Sequence, residues 1–282
     1  MIEKLRTNGR APLRVFVGTS PGGEDAEACI ALESSLRRHA SVPIEIEWLR
    51  LSRDRASPCA GWNTERWTTP WTALRWAVPA LCGWRGLAVY FDCPALVLGD
   101  VAELGAAPLP PGAFLLARRE GRMLLTWCMV IDCAEAKKHL PPLAKMREDV
   151  GAHQGVGALL ARYPSMVGPL PDGWGMSDLA YAAPRGDDSP VGSVHFASPH
   201  TQPHGPRADA RLARAGRTHW FTGVRLPHQC ARLVALWEEE AARAVAAGYD
   251  VEQYVPDKPF GSYSITAASW GDSGWWAQGK VG

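Results

Sequence analysis

Asp92 is the first residue in this sequence with a clear capacity for chemistry. It follows the apolar run Leu87-Ala88-Val89-Tyr90-Phe91 and is the first polar side chain beyond it. A carboxylate at that point can hold a cation or accept hydrogen bonds from a ligand, and it can also simply cap a strand or turn. Arg75 lies upstream in a Trp-rich segment, four residues after Trp71. A guanidinium there can neutralise phosphate or carboxylate charge. His195 closes a short apolar stretch and is followed by His200 and His204. Imidazole carries protons or binds metal, although a lone histidine is more often structural. The 195, 200, 204 spacing is not a zinc pattern, and no C-x-x-C, G-x-S-x-G, Walker or G-x-G-x-x-G motif occurs. Cys93, directly after Asp92, reads as a small residue at a tight turn.

These residues need elements to position them. Five consecutive apolar residues between Gly86 and Pro94 predict a strand covered on both faces. In an open α/β sheet, ligands sit beyond the carboxyl ends of such strands, where Asp92 would stand. Thr69 and Pro70 read as the cap and first residue of a helix over 69–81, with Trp71 and Arg75 on one face. Upstream, residues 13–17 predict a first strand leading into Gly18-Thr19-Ser20-Pro21-Gly22-Gly23 and a helix over 24–39 with an Ala28, Leu32, Leu36 stripe. Alternation over 44–49 predicts a half-exposed strand, and the polar, Pro-bearing stretch 51–68 a surface loop near the mouth of a site. Residues 112–119 and 122–131 read as strands about a Glu120-Gly121 turn. Residues 134–162 read as helix broken at Pro141-Pro142. A helix over 227–248 carries Leu233, Leu236, Trp237, Ala241 and Val245, with Glu238, Glu239 and Glu240 on a solvated face. The fold class is α/β.

Composition narrows the function. The chain has 282 residues, 21% of them charged, and a formal net charge of +1. Such balance argues against a nucleic-acid binder driven by a basic field, and Arg207, Arg211, Arg214 and Arg217 read as a solvated cluster. No apolar run is long enough to span a bilayer and no signal peptide opens the chain, so a cytoplasmic protein is expected. The domain reading is an N-terminal arm at 1–12, one domain over 13–248, and an aromatic, Gly-rich extension over 249–282. The seven cysteines read mostly as reduced core residues, and the thirteen tryptophans as core packing ahead of sugar or base stacking.

The stretch from Val78 to Leu104, VPALCGWRGLAVYFDCPALVLGDVAEL, resembles the central signature of family 8-type, glycogenin- and galactosyltransferase-like glycosyltransferases of the GT-A fold, and of a related bacterial branch. In that family the strand ends in Asp-x-Asp, followed by an apolar stretch and a Gly-Asp like Gly99-Asp100. An arginine precedes it, as Arg75 does here. The motif is degenerate, because Pro94 stands where the second aspartate belongs. The resemblance implies a Rossmann-like mixed sheet flanked by helices. It also implies transfer of a sugar from a nucleotide-sugar donor, UDP-linked, to a small-molecule or glycan acceptor with retention. The rival on the same fold is a non-catalytic nucleotide-sugar-binding protein.

The same resemblance assigns site residues. Val17, Gly18 and Thr19 correspond to the loop that contacts the nucleotide, although an ordinary βα turn reads the same way. Thr126 and Asp132 fall near the positions of an Asn-containing strand. Trp174 matches the tryptophan of an LP-x-x-W-N loop, with Gly175 replacing the Asn. His195-Phe196 matches a late His-Phe element whose histidine completes a metal site. Asp92, Arg75 and His195 are thus the expected catalytic set, and Asp92 and His195 the expected ligands of Mn2+ or Mg2+. A sugar-lining acid is expected near 148–154, where Glu148, Asp149, His153 and Gln154 are the choices.

Overall fold

The structure is a computed structural model that describes residues 11–184, 190–258 and 260–261. The expected arm, over most of its length, and the extension from 262 onward lie outside the described residues. Strands are β1 (Leu13–Gly18), β2 (Ile44–Leu49), β3 (Leu87–Asp92), β4 (Ala95–Val97), β5 (Leu115–Glu120), β6 (Met123–Asp132), β7 (Val167–Pro169), β8 (Met176–Ser177) and β9 (Ser193–His195). Helices are α1 (Ala26–His39), α2 (Val78–Leu81), α3 (Ala102–Ala106), α4 (Cys133–Ala136), α5 (Leu143–Glu148), α6 (Ala152–Arg162), α7 (Asp178–Ala182), α8 (Gly205–Arg214) and α9 (Ala231–Ala246).

Among the described residues, six strands form one mixed sheet in the order β2-β1-β3-β6-β5-β7, and three form a second, β4-β9-β8. β2, β1 and β3 run parallel, as the βα units of the sequence require. β6 lies antiparallel to β3 and pairs with β5 through the Glu120-Gly121 turn. Val15, Val17, Val89 and Phe91 on one face and Phe16 and Tyr90 on the other are all fully buried, so both faces of the central strands are covered. The carboxyl ends of β1 and β3 coincide: Gly18 pairs with Asp92. In the small sheet, His195 pairs with Ala95 on one side and Ser177 on the other, which brings the late histidine within a few residues of Asp92.

Four local expectations change. Residues 70–81 are not one helix. They run through turns, a 3-10 segment Leu74–Ala77 and the four-residue α2, because Pro79 cannot extend a helix interior. Its missing N–H falls harmlessly in the first turn of α2. The 51–68 stretch is a loop with exposed polar residues, as expected, but it is pinned down: Leu51, Cys59, Trp62 and Trp67 are buried in the main core. Its aromatic residues outweigh its polar ones when packed. Glu240 is buried rather than solvated. It accepts from Ser34 Oγ at 2.6 Å and pairs with Arg38, tying α9 to α1. Finally, two of the four clustered arginines clamp the β1–α1 loop. Arg211 binds Glu27 and the Gly23 carbonyl, and Arg217 binds the Gly22 carbonyl and Glu24.

Candidate functional site

Arg75 and Asp92 meet at the carboxyl end of β3. Arg75 Nη2 donates to both Asp92 oxygens at 3.0 Å, Nη1 donates to the Thr126 carbonyl and Oγ1 at 2.6 Å, and Nε donates to the Thr72 carbonyl at 3.0 Å. All guanidinium N–H groups are therefore satisfied. Burial works against the charge of Arg75, but the Asp92 carboxylate overrides it and raises its pKa. Tyr90, two residues before Asp92 on the same strand, donates its hydroxyl to Asp92 Oδ1 at 2.5 Å. Burial, then the neighbouring carboxylate, pushes that phenol well above its ordinary pKa, so it stays a donor. Among the described residues Oδ1 thus carries two bonds and Oδ2 one, which leaves one acceptor position on Oδ2 for a ligand.

The site is shaped by a bulge. On β5 the register jumps between Ala117, opposite Met129, and Arg118, opposite Leu125, so Thr126, Trp127 and Cys128 form an unmatched excess on β6. A bulge re-aims side chains and frees backbone groups. Here it turns the Thr126 hydroxyl and carbonyl onto Arg75. It also sets Trp127 flat against His195, with ring centroids 4.5 Å apart.

His195 is buried, and its Nδ1 has no hydrogen-bond partner among the described residues. Burial drives its pKa down to about 4, even though Asp92 and Asp178 pull the other way. The imidazole is neutral at pH 7. Trp71 offers a second orphan: its Nε1 is buried without a partner among the described residues, and its ring lies against Gly18. The three-histidine loop splits. His200 binds the Val224 carbonyl and His204 binds Asp25, so only His195 joins this site.

The remaining expected contacts point inward. Val17 is core, and the Thr19 hydroxyl sits 3.1 Å from Cys29 Sγ. Gly18 lends its carbonyl to the Cys93 N–H at 2.9 Å. Trp174 is fully buried, donates to Glu103 at 2.9 Å, and packs on Gly192. Asp132 caps α4 by accepting from Ala134 and Glu135 N–H groups. Among the acids sought near 148–154, Asp149 caps backbone locally, whereas the carboxylate that His195 feels besides Asp92 is Asp178, at the start of α7. Asp178 accepts from His228 Nε2 at 3.1 Å, and the Cys230 N–H bonds His228 Nδ1, which fixes that tautomer. Tyr90 was legible in the sequence as the i−2, same-face neighbour of Asp92. Asp178 and His228 carried no signal beyond a Ser-Asp helix start.

His153 packs beside this cluster and accepts from Trp76 Nε1 at 3.0 Å. Burial, then the charge of Arg75, lowers its pKa from 6.5 to about 3. The folded value lies below the unfolded one, so the unfolded chain takes the proton first as pH falls. The stability His153 contributes is complete above about pH 6.5 and is lost toward pH 3, at up to about 1.4 kcal/mol per pH unit. Urea midpoints at pH 7 and pH 4.5 should therefore diverge more for the wild type than for His153→Gln. Equal divergence would remove His153 as the source.

Two sets of donors bear on Mn2+ or Mg2+. At Asp92, the carboxylate charge is already matched by Arg75, Pro94 supplies no second acid, and His195 adds one nitrogen. Hard cations need several oxygen ligands, so this set does not fit a resident ion. A second cluster, Asp25, His204 and His219, has its ligand atoms within 4.8 Å of one another, all buried. His219 Nδ1 accepts the Phe221 N–H at 2.9 Å, which leaves the ring hydrogen on Nε2, facing Asp25 at 3.2 Å. The orphan nitrogen of His204 is Nδ1, while Nε2 meets Asp25. With Trp220 Nε1 also donating to Asp25 at 2.7 Å, this is a hydrogen-bonded hub that does not fit a cation either. Burial opposes the Asp25 charge, but the two histidines outweigh it and hold the pKa well below the ordinary carboxylate value.

Comparison with known proteins follows this geometry. No family model and no curated protein matches the sequence. Among solved structures, the galactosyltransferase LgtC in complex with donor and acceptor sugar analogs superposes with a TM-score of 0.53 at 15% identity, covering 82% of this chain and 96% of that one. The glycosyltransferase GlyE of Streptococcus pneumoniae TIGR4 gives 0.52 at 13% identity, covering 87% of this chain and 62% of that one. The bifunctional glycosyltransferase WbbM gives 0.50 at 14%, covering 77% of this chain and 51% of that one. Among the described residues, no helix is long and apolar enough to cross a membrane. The β2-β1-β3 parallel core, the antiparallel β6 and the small sheet that returns His195 to the end of β3 make this the GT-A glycosyltransferase fold.

Proposed function

We propose that this protein is a glycosyltransferase that moves a sugar from a nucleotide-sugar donor, UDP-linked, to a small-molecule or glycan acceptor, with retention. One observation carries the reading: at the carboxyl end of β3 on this fold, an ion-paired Asp92 keeps one acceptor position open near two buried polar atoms, His195 Nδ1 and Trp71 Nε1, that have no partner among the described residues. Buried orphan atoms are uncommon, and they mark places where a ligand can supply the missing bond. Asp92 would accept a donor hydroxyl, with Arg75 and Tyr90 holding the carboxylate in position. Neutral His195, stacked on Trp127, would hydrogen-bond the sugar or diphosphate without a charge cost. The Gly18 main chain and the Thr126 bulge would form the adjoining walls, with Val17 and Thr19 holding the end of β1 from the core side.

The second reading is a nucleotide-sugar-binding protein without turnover. It is favoured by Pro94 and by the saturated Arg75, which leave no free cation or second acid at the motif itself. A panel of nucleotide sugars, assayed for binding and hydrolysis with manganese and with chelator, separates the two. Donor turnover that persists in chelator and falls at least tenfold in Asp92→Ala is expected. Binding without turnover, with acceptors present, selects the second reading, and no binding of any nucleotide sugar ends both.

A further inference from the structure

The β5–β6 hairpin and α6 enclose a pocket of about 270 Å³ that the site described above does not use. Its place is informative. The last β3–β6 pair is Phe91 with Cys128, so β6 residues 123–126 project past Asp92 on the ligand side of the sheet. Thr126 lines the pocket and holds Arg75, so the pocket adjoins the Arg75–Asp92 cluster.

Its chemistry is one-sided. Arg119 and Arg122 stand at the rim, and among the described residues no acid lines the pocket. Both arginines are exposed, and neither has an ion-pair or hydrogen-bond partner among the described residues. Neighbouring Arg118, in contrast, is paired with Glu120. Leu124 and Ala161 supply an apolar wall over the buried Trp76 and Leu160. His153 accepts from Trp76 at Nδ1, so its neutral ring carries the hydrogen on Nε2, a further donor on the wall.

Helix α6 contributes a gap. Gly157 sits inside it, where glycine is less favourable than alanine. A Cβ added there would meet nothing within 4 Å, so packing does not demand the glycine. The missing side chain keeps the pocket open.

We propose that this pocket is the acceptor subsite and that it selects a sugar-sized molecule bearing an oxyanion, a carboxylate or a phosphate, held by Arg119 and Arg122 while the ring lies against Leu124 and Ala161. The word acceptor rests on the transferase reading, whereas the binding itself does not. The volume suits one sugar ring with a charged substituent and is below the roughly 300–1,000 Å³ of sites for larger ligands. Arg recognises both planar and tetrahedral oxyanions through paired donors.

Calorimetric titration of the full chain with glucose 6-phosphate, glucuronate and glucose tests this. At least one anionic sugar should bind and glucose should not, and the tighter of the two identifies the group selected. Affinity should fall at least tenfold in Arg119→Ala/Arg122→Ala. It should fall as far in Gly157→Leu, which fills the pocket, keeps both charges and favours the helix. Melting curves establish that each variant is folded. Equal binding of glucose, no binding of either anionic sugar, or indifference to both variants overturns the subsite. If anionic sugars bind while no nucleotide sugar does, the transferase reading falls and the subsite stands. If transfer to neutral sugars matches transfer to anionic ones in wild type and double variant alike, the subsite falls and the transferase stands.

Discussion

Arg75→Ala should lower stability by about 3–5 kcal/mol and remove donor turnover together. The size follows from what is left behind. Asp92 is buried, and its carboxylate loses the only cation that touches it in the described structure. The Thr126 hydroxyl and carbonyl and the Thr72 carbonyl lose their donors as well. An uncompensated buried charge is costlier than the net worth of the pair it came from. Denaturant unfolding of the single variants and of Arg75→Ala/Asp92→Ala should therefore show strong coupling, with the double less destabilised than the sum of the singles. Arg75→Lys should not rescue either property, because one ammonium cannot span Thr72, Thr126 and Asp92 as the planar fork does. Additive single effects, or a fully active lysine variant, would mean the cluster does not position Asp92.

Gly18→Ala is the second large effect, and it acts through Tyr90. A Cβ at residue 18 would collide with the Tyr90 hydroxyl and come within 2.8 Å of Trp71 Cδ1. Both rings are buried, with no room to withdraw. Overpacking of this kind costs about 1–3 kcal/mol. The functional loss should exceed what that figure suggests, since the displaced hydroxyl is the group bonded to Asp92 Oδ1. Tyr90→Phe removes the colliding atom. The Gly18→Ala/Tyr90→Phe double should regain part of the stability, limited by the Trp71 contact, without regaining donor affinity. Recovery of affinity in the double would show that the Tyr90 hydroxyl is dispensable and that the glycine matters for another reason.

The position of Asp92 was readable because short-range physics sets it. A buried strand must be apolar along its length, so the first carboxylate after Leu87–Phe91 has to stand at the strand's end. The parallel βα beginning was legible for the same reason: period-2 and period-3.6 patterns mark β1, α1 and β2 within a residue or two. Alternation would also put Tyr90 on the face of Asp92, but an apolar run gives no sign that its hydroxyl is used.

Other features depend on residues that meet only once the chain is packed. The excess of Thr126, Trp127 and Cys128 against β5 exists only as a register between two strands, and no local pattern in LLTWCMVID encodes it. The burial of Glu240 and the clamping of the β1–α1 loop by Arg211 and Arg217 need partners some two hundred residues away. Asp178 and His228 join the surroundings of His195 because β8, β9 and β4 align their ends. Sequence alone determined the α/β class, the strand that carries the carboxylate and the identity of the residues able to act. Tertiary structure decided which of them meet, and with what charge, since burial and the desolvation behind the low pKa of His195 belong to packing.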